Sequence, residues 1–277
     1  MILVTGASGA LGGLVLERLR GLEHVVAGSR TPGQAGQAAR LVDFDDPGGL
    51  AEGFHGMETL LLVSAGYAED DVVIARHGAA IEAAERAGVG HIVYTSITGA
   101  GDHLSYTLAH RWTERRLMAG SAHWTILRNG LYSDLFVPYA ANAAATGELT
   151  LPIGAGRLAA VAREDLADVA ASVVTDPGRH RGRVYELVGD QAVGGAELSG
   201  IVEKLTGVRP GYRPGTLAET RAFLSELGMP GWQVPHLMST LSAVAGGFLD
   251  GTGGDLADLL GRAPRPAHEV IAAALTP

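Results

Sequence analysis

Three glycines, Gly6, Gly9 and Gly12, are spaced G-x-x-G-x-x-G inside the stretch TGASGALGG. A turn without side chains lets backbone N–H groups come close to a pyrophosphate. A helix opening directly after it adds free N–H groups and the positive end of its dipole. Gly-rich turns are common, so the triplet alone says little. Its setting, between the apolar run ILVT (2–5) and the helical pattern LGGLVLERLR (11–20), gives it weight. The next apolar run, HVVAG (24–28), leads into Ser29 and Arg30 and carries no acid. An acid there would take a ribose 2′-hydroxyl, whereas an Arg suits a 2′-phosphate. NADP(H) is therefore expected in preference to NAD(H).

The third run ends VDFDD, where Asp43 can accept from an adenine amine and Phe44 can pack beside the ring; Asp45 and Asp46 are the better helix caps. Val63 and Ser64 of VSAG (63–66), and Thr95 and Ser96 of YTSIT (94–98), end the fourth and fifth runs. Ligands of open α/β sheets lie at the carboxyl ends of strands. Ser64, Thr95 and Ser96 are thus candidate ribose or nicotinamide contacts, residue types that ordinary turns also use.

The elements that must hold these residues are legible. RLVDF (40–44), TLLLV (59–63), HIVYT (91–95) and WTILR (124–128) join the first two runs as expected strands. They are continuously apolar, as when both faces of a sheet are covered. Helix patterns at 11–20, 45–54, 71–88 and 109–120 alternate with them, the last two ending at Gly. This alternation predicts an α/β protein, a Rossmann-type doubly wound parallel sheet with a small C-terminal α/β lobe. Residues 1–130 would form the nucleotide-binding core, with a strand and helix from 159–190, and 131–277 a mainly substrate-binding lobe. TGELTLPIGAGR (146–157) breaks the rhythm; after it come a helix at 163–176, a strand at 183–190 and helices at GAELSGIVEKLTG, LAETRAFLSELG and DLADLLGRAPRP.

The 277 residues carry a net charge of −9, with Lys and Arg together only 21 and no basic stripe. Nucleic acid and anionic membrane are poor partners for such a surface. There is no cysteine, so disulfides, thiol catalysis and Cys-ligated metal are excluded. His77, His91, His103 and His123 show no metal-ligand spacing, and no metal is expected. MILVTG has no basic leader, and no apolar run reaches the about 20 residues of a membrane helix. A cytoplasmic protein is expected, compatible with a homodimer.

The blocks VTGASGALGG, HIVYTSI, WTILRNGLYSDLF (124–136), AAVAREDLADVAA (159–171) and VYELVGD together resemble the NmrA-like atypical short-chain dehydrogenases. Within that family the chain most resembles bacterial NAD(P)H:quinone oxidoreductases and triphenylmethane dye reductases, essentially end to end. The glycine loop is shared by many folds; LRNGLYSD is far more specific. The resemblance implies an NADP-binding Rossmann domain and a small C-terminal lobe that take a flat aromatic substrate. It places Gly6, Ser8, Gly9, Ala10 and Leu11 along the pyrophosphate, Arg30 on the 2′-phosphate, and Asp43 and Phe44 at the adenine. It sets Asn129 and Tyr132 near the nicotinamide and substrate. His110 falls where better-known short-chain enzymes carry a Lys, four residues after Tyr106. One departure stands out: related reductases tend to follow the glutamate with a Lys where this chain has Arg115.

The missing Lys has a chemical reading. Reduction of an isolated ketone makes a strongly basic alkoxide and calls for an acid in the transition state. Hydride addition to a quinone gives a delocalised, much weaker base, for which positioning and polar donors suffice. His110, Asn129 and Tyr132 are the candidate donors; without the resemblance His110 reads as a packing residue of its helix. Tyr106 ranks below it, because GAGDHLS before it reads as a loop. Phe136, Tyr139, Met229, Trp232 and Met238 are candidates to line an apolar pocket, or ordinary core. The expected function is hydride transfer from NADPH to a quinone or similar flat conjugated acceptor. Two alternatives are a non-catalytic NADP(H) sensor of NmrA type and a redox tailoring enzyme for a polycyclic aromatic polyketide.

Overall fold

The apolar runs of the first half have no polar face to give to water, so they stack as the central strands of a covered sheet. The structure is a computed structural model that describes residues 1–32, 38–65, 68–99 and 103–276. Gly66 of the VSAG segment and residues 100–102 of GAGDHLS lie outside the described residues. The first half folds as β1 (Ile2–Val4), α1 (Ala10–Arg18), β2 (Val25–Ser29), β3 (Ala39–Leu41), α2 (Pro47–Phe54), β4 (Thr59–Leu62), α3 (Asp70–Arg86), β5 (His91–Ile97), α4 (Thr107–Met118) and β6 (His123–Asn129). Then come α5 (Val137–Thr146), β7 (Glu148–Leu151), α6 (Arg163–Thr175), β8 (Arg183–Leu187), α7 (Gly195–Thr206), β9 (Gly211–Pro214), α8 (Leu217–Glu226), α9 (Gln233–Ala245), α10 (Leu256–Leu260) and α11 (Ala267–Leu275).

The strand order is β3-β2-β1-β4-β5-β6-β8, and β1 to β6 pair in parallel. This is a Rossmann-type doubly wound sheet, as expected. The chain runs outward from β1 and returns to start again at β4, so the order reverses between those two strands. A crevice opens at such a reversal, beyond the carboxyl ends of the strands. Leu3, Leu60, Leu62, Ile92 and Tyr94 are fully buried and pack with Leu50, Phe54 and Ile81 from the helices.

The chain forms two compact units. The first comprises Met1–Ile97, Leu108–Asn129 and Leu166–Tyr185. Within it Arg18 of α1 donates to Asp168 of α6 at 2.9 Å, tying the late helix to the early ones. β3 stops at Leu41, short of the expected Phe44. Asp43 turns the chain there: its carboxylate accepts from the Asp45 N–H at 3.0 Å and its carbonyl from the Asp46 N–H at 3.2 Å. Neither expected cap bonds the first turn of α2. Asp46 sits at the N-cap without a side-chain bond, and Asp45 is held by Arg76 at 2.7 and 2.8 Å. β5 and β6 run further than expected, to Ile97 and Asn129, which lie in register.

The second unit comprises Thr98–Thr107, Gly130–Asp165 and Glu186–Pro277. Its β7 pairs in parallel with β9, and α5 packs against α7 and α11. The strand β7 lies inside the stretch that breaks the sequence rhythm; its partner comes some sixty residues later (Glu148 opposite Gly211), so no local pattern marks it. Asp165 is fully buried. It accepts from Arg262 Nη2 at 2.7 Å and from the Arg265 backbone N–H at 2.6 Å, and also pairs with the Arg265 guanidinium.

Candidate functional site

The glycine loop has a geometric cause at each glycine. Gly6 has a φ of +63°, a left-handed backbone that favours glycine, and a Cβ there would sit 3.3 Å from Val63. Gly9 donates to Gly6 O at 2.8 Å and is the N-cap of α1, with no side chain to cap the helix. The first-turn N–H groups beyond it have no intrahelical partner by construction. A Cβ on Gly12 would lie 2.3 Å from Gly6 O, so only glycine lets the helix pack this closely on the loop. Ser8 and Ala10 are exposed, and the Leu11 side chain turns inward. The loop is therefore a backbone cradle whose walls a Cβ would fill, and it fits the pyrophosphate of a dinucleotide. Thr5, which the sequence did not single out, braces it: its hydroxyl donates to Leu61 O at 3.0 Å and accepts from the Val63 N–H at 2.9 Å.

At the end of β2 the Ser29 hydroxyl accepts from the Thr31 N–H at 3.1 Å, and Arg30 is exposed. Its charge acts on Asp45, whose carboxyl is held below its usual range chiefly by the hydrogen bond from Arg76. Phe44 is half-buried against the core, and Asp43 is half-buried with one oxygen on the Asp45 N–H.

At the ends of β4 and β5 the polar groups brace one another. The Ser64 N–H donates to the Thr95 hydroxyl at 3.0 Å, and the Ser96 hydroxyl donates to Glu114 Oε1 at 2.6 Å. His77 accepts from the Ala65 N–H through Nε2 at 3.0 Å, so its Nδ1 carries the proton and donates to Thr113 Oγ1 at 2.9 Å. Burial lowers its pKa to about 3. His77 is thus a neutral structural brace.

Two polar clusters stand between α4 and the β5–β6 pair. In the first, Glu114 is buried and gathers Arg111, Arg128 and Ser96; Arg128 donates through Nε at 2.9 Å and Nη2 at 2.7 Å. Burial opposes ionisation of Glu114, but the bonds from Arg128 and Ser96 and the two guanidinium charges outweigh it and lower its pKa. Arg111 also donates to Ile97 O at 2.9 Å. In the second cluster, the Tyr94 hydroxyl lies 2.9 Å from His110 Nδ1. Burial raises the Tyr94 pKa well above its usual value. Burial, then the Arg111 charge, lowers that of His110 to about 4. Both groups are neutral at pH 7. At the end of β6, Asn129 is buried, and its Oδ1 has no hydrogen-bond partner among the described residues.

The first unit therefore gathers His110, Asn129, Thr95, Ser96 and the glycine loop at the carboxyl edge of one sheet. Tyr132 belongs to the second unit, where Arg163 lies 4.5 Å over its ring and is itself paired with Asp134 at 3.1 Å. Tyr106 also belongs there, in the turn before α4. Its hydroxyl lies 3.0 Å from Thr240 Oγ1, and its ring packs on His236, which in turn meets Trp232 edge-on. Phe136 and Met238 are core residues of that unit, while Tyr139, Met229 and Trp232 are half-buried. His91 is buried on Thr125 and His103 stacks on Phe248. Among the described residues no group of His, Asp or Glu is arranged to hold a metal.

Comparison with known proteins agrees with this geometry. The family model described as NAD(P)H-binding matches residues 6–177. Quinone oxidoreductase 2 of Escherichia coli is 34% identical over 261 residues, 90% of either chain. The solved NADPH complex of an Escherichia coli NADPH-dependent quinone oxidoreductase superposes with a TM-score of 0.90 at 31% identity, covering 100% of both chains. Triphenylmethane reductase of Citrobacter sp., solved with NADP(H), gives a TM-score of 0.90 at 30% identity over 99% of this chain and 100% of its own. With its glycine cradle and parallel sheet, the chain belongs to the NAD(P)H-binding family and is an NAD(P)H-dependent reductase.

Proposed function

We propose that the chain transfers hydride from NADPH to a quinone or similar flat conjugated aromatic acceptor. The observation that carries this reading is the neutral His110, held by the Tyr94 phenol, in place of a tyrosine–lysine acid. A donor of this kind suits an acceptor whose reduced form is a weak base. The bound cofactor supplies the hydride. Gly6, Ser8, Gly9, Ala10 and Leu11 hold its pyrophosphate, and Arg30 its 2′-phosphate, giving NADP(H) preference over NAD(H). Asp43 and Phe44 take the adenine end; Val63, Ser64, Thr95 and Ser96 border the ribose and nicotinamide. Asn129 Oδ1, buried and without a partner among the described residues, accepts from a carboxamide or a substrate hydroxyl on this reading. Tyr132 and the rest of the second unit serve mainly the acceptor. Likeness to a quinone oxidoreductase and a triphenylmethane reductase supports an aromatic acceptor of this class. No helix of the described residues is long and apolar enough to cross a membrane, in keeping with a small-molecule substrate met in solution.

The test is the loss of reduced-nicotinamide absorbance with NADPH and a panel of benzoquinones, naphthoquinones and triphenylmethane dyes. Acceptor-dependent oxidation that falls sharply in His110→Ala and Asn129→Ala upholds the reading. Tight NADPH binding with no acceptor turned over rejects it in favour of a sensor.

A further inference from the structure

Tyr94 is a fully buried phenol on a central strand, and a buried hydroxyl proton without an acceptor costs free energy. Three polar groups bear on it: His110, Ser64 and Thr113. Thr113 already accepts the proton of His77 Nδ1 and spends its own on Ala109 O at 2.8 Å. Ser64 carries a hydrogen of its own to give. His110 Nδ1, at 2.9 Å, is the group that offers a lone pair and, in one tautomer, no competing hydrogen. The other nitrogen, Nε2, makes no hydrogen bond among the described residues, and His110 is half-buried rather than sealed in.

We propose that Tyr94 is a positioning residue: its phenol donates to His110 Nδ1 and so holds the imidazole in the tautomer that carries its proton on Nε2, the nitrogen left to face an acceptor oxygen. Reversing the pair, with Nδ1–H donating to the phenol oxygen, strips Nε2 of its proton and leaves a lone pair where a donor is needed. The second hydrogen bond thus selects which edge of the ring is the donor, as with any histidine whose far nitrogen is fixed. The tautomer rests on this structure alone; its use on a substrate oxygen rests on the reductase reading above.

The experiment uses the full chain with ring-15N histidine and two-bond 1H–15N correlation spectra near pH 7. The His110 signals are assigned among the ten histidines by their absence in His110→Gln. The expected spectrum shows His110 protonated at Nε2 and bare at Nδ1. In Tyr94→Phe, which keeps the ring and removes the hydroxyl, a mixture of tautomers is expected. In the same variant kcat with a responsive quinone should fall about tenfold, the weight of one hydrogen bond, with KM for NADPH unchanged. A wild-type spectrum showing the Nδ1–H form, or a Tyr94→Phe spectrum identical to wild type, overturns the proposal. A silent acceptor panel removes the reductase reading alone; the tautomer spectra then uphold or overturn the role of Tyr94 by themselves.

Discussion

Two buried polar clusters share the β5–β6 pair and the helix α4, and they are built on opposite terms. The Glu114 cluster is charged and centred on its own carboxylate: two arginines and a serine converge on it. The Tyr94–His110 pair and Asn129 are neutral and open: among the described residues Asn129 Oδ1 has no partner and His110 Nε2 makes no hydrogen bond. A charged cluster gathered on one carboxylate fixes geometry. An open neutral one leaves a hydrogen bond to be completed by something else. On the proposed reading the contrast separates scaffold from chemistry, where residue type alone would have favoured the charged group.

The sharpest way to break the comparison is Glu114→Ala. It leaves two guanidinium groups facing each other in a largely buried place, and the protein should lose about 3–5 kcal/mol of stability by chemical denaturation. A loss within 1 kcal/mol, with activity gone, would mean that the roles are the reverse of those assigned. His110→Ala should weigh the other way. Stability should fall by about 1–3 kcal/mol, the cost of leaving the buried Tyr94 phenol without its acceptor, while kcat/KM for a quinone falls about 100-fold, roughly 2.7 kcal/mol of transition-state stabilisation.

Acid sharpens the contrast further. Burial lowers the pKa values of His77, His91 and His110 in the fold to about 3, 4 and 4, from an ordinary 6.5. Their depressed values mean that the unfolded chain binds more protons than the folded one between about pH 6.5 and 4. Stability is therefore full above that window and falls with pH through it, by up to ~1.4 kcal/mol per pH unit for each histidine. Urea midpoints between pH 7 and 4.5 check this, and replacing His77 by Gln should flatten the slope. Midpoints that do not move would show that these histidines are protonated in the fold. The smallest expected effect lies away from both clusters. Arg30→Ala should raise KM for NADPH about tenfold and leave that for NADH alone, since it removes one phosphate contact; equal changes for both would remove its assignment to the 2′-phosphate.

What the sequence showed follows the range of the forces involved. Gly6, Gly9 and Gly12 were legible because their causes are local: a left-handed turn, a cap and a close approach within one loop. The central strands were legible because full burial writes continuous apolar runs. Arg111 and Glu114, three apart on one helix, carried half of a signal, but Arg128 joins them only through the position of β6 in the sheet. Tyr94 inside the run HIVYT was a missed clue, since a phenol on a buried strand must find a partner. α5, α9 and α11 went unread: Pro138 and Pro235 look like breakers, although proline is at home in a first turn, and Ala-rich α11 shows little periodicity.

The pairing of Asp165 has a consequence for the order in which the chain is made. Its two arginines lie 97 and 100 residues further along. While the ribosome adds the intervening helices, this carboxylate has no guanidinium to meet and stays hydrated. Its burial waits for Arg262 and Arg265 to arrive, so the second unit closes late in synthesis. A nascent chain halted between Asp165 and Arg262 carries a solvated acid where the finished protein carries a buried carboxylate capped by two arginines.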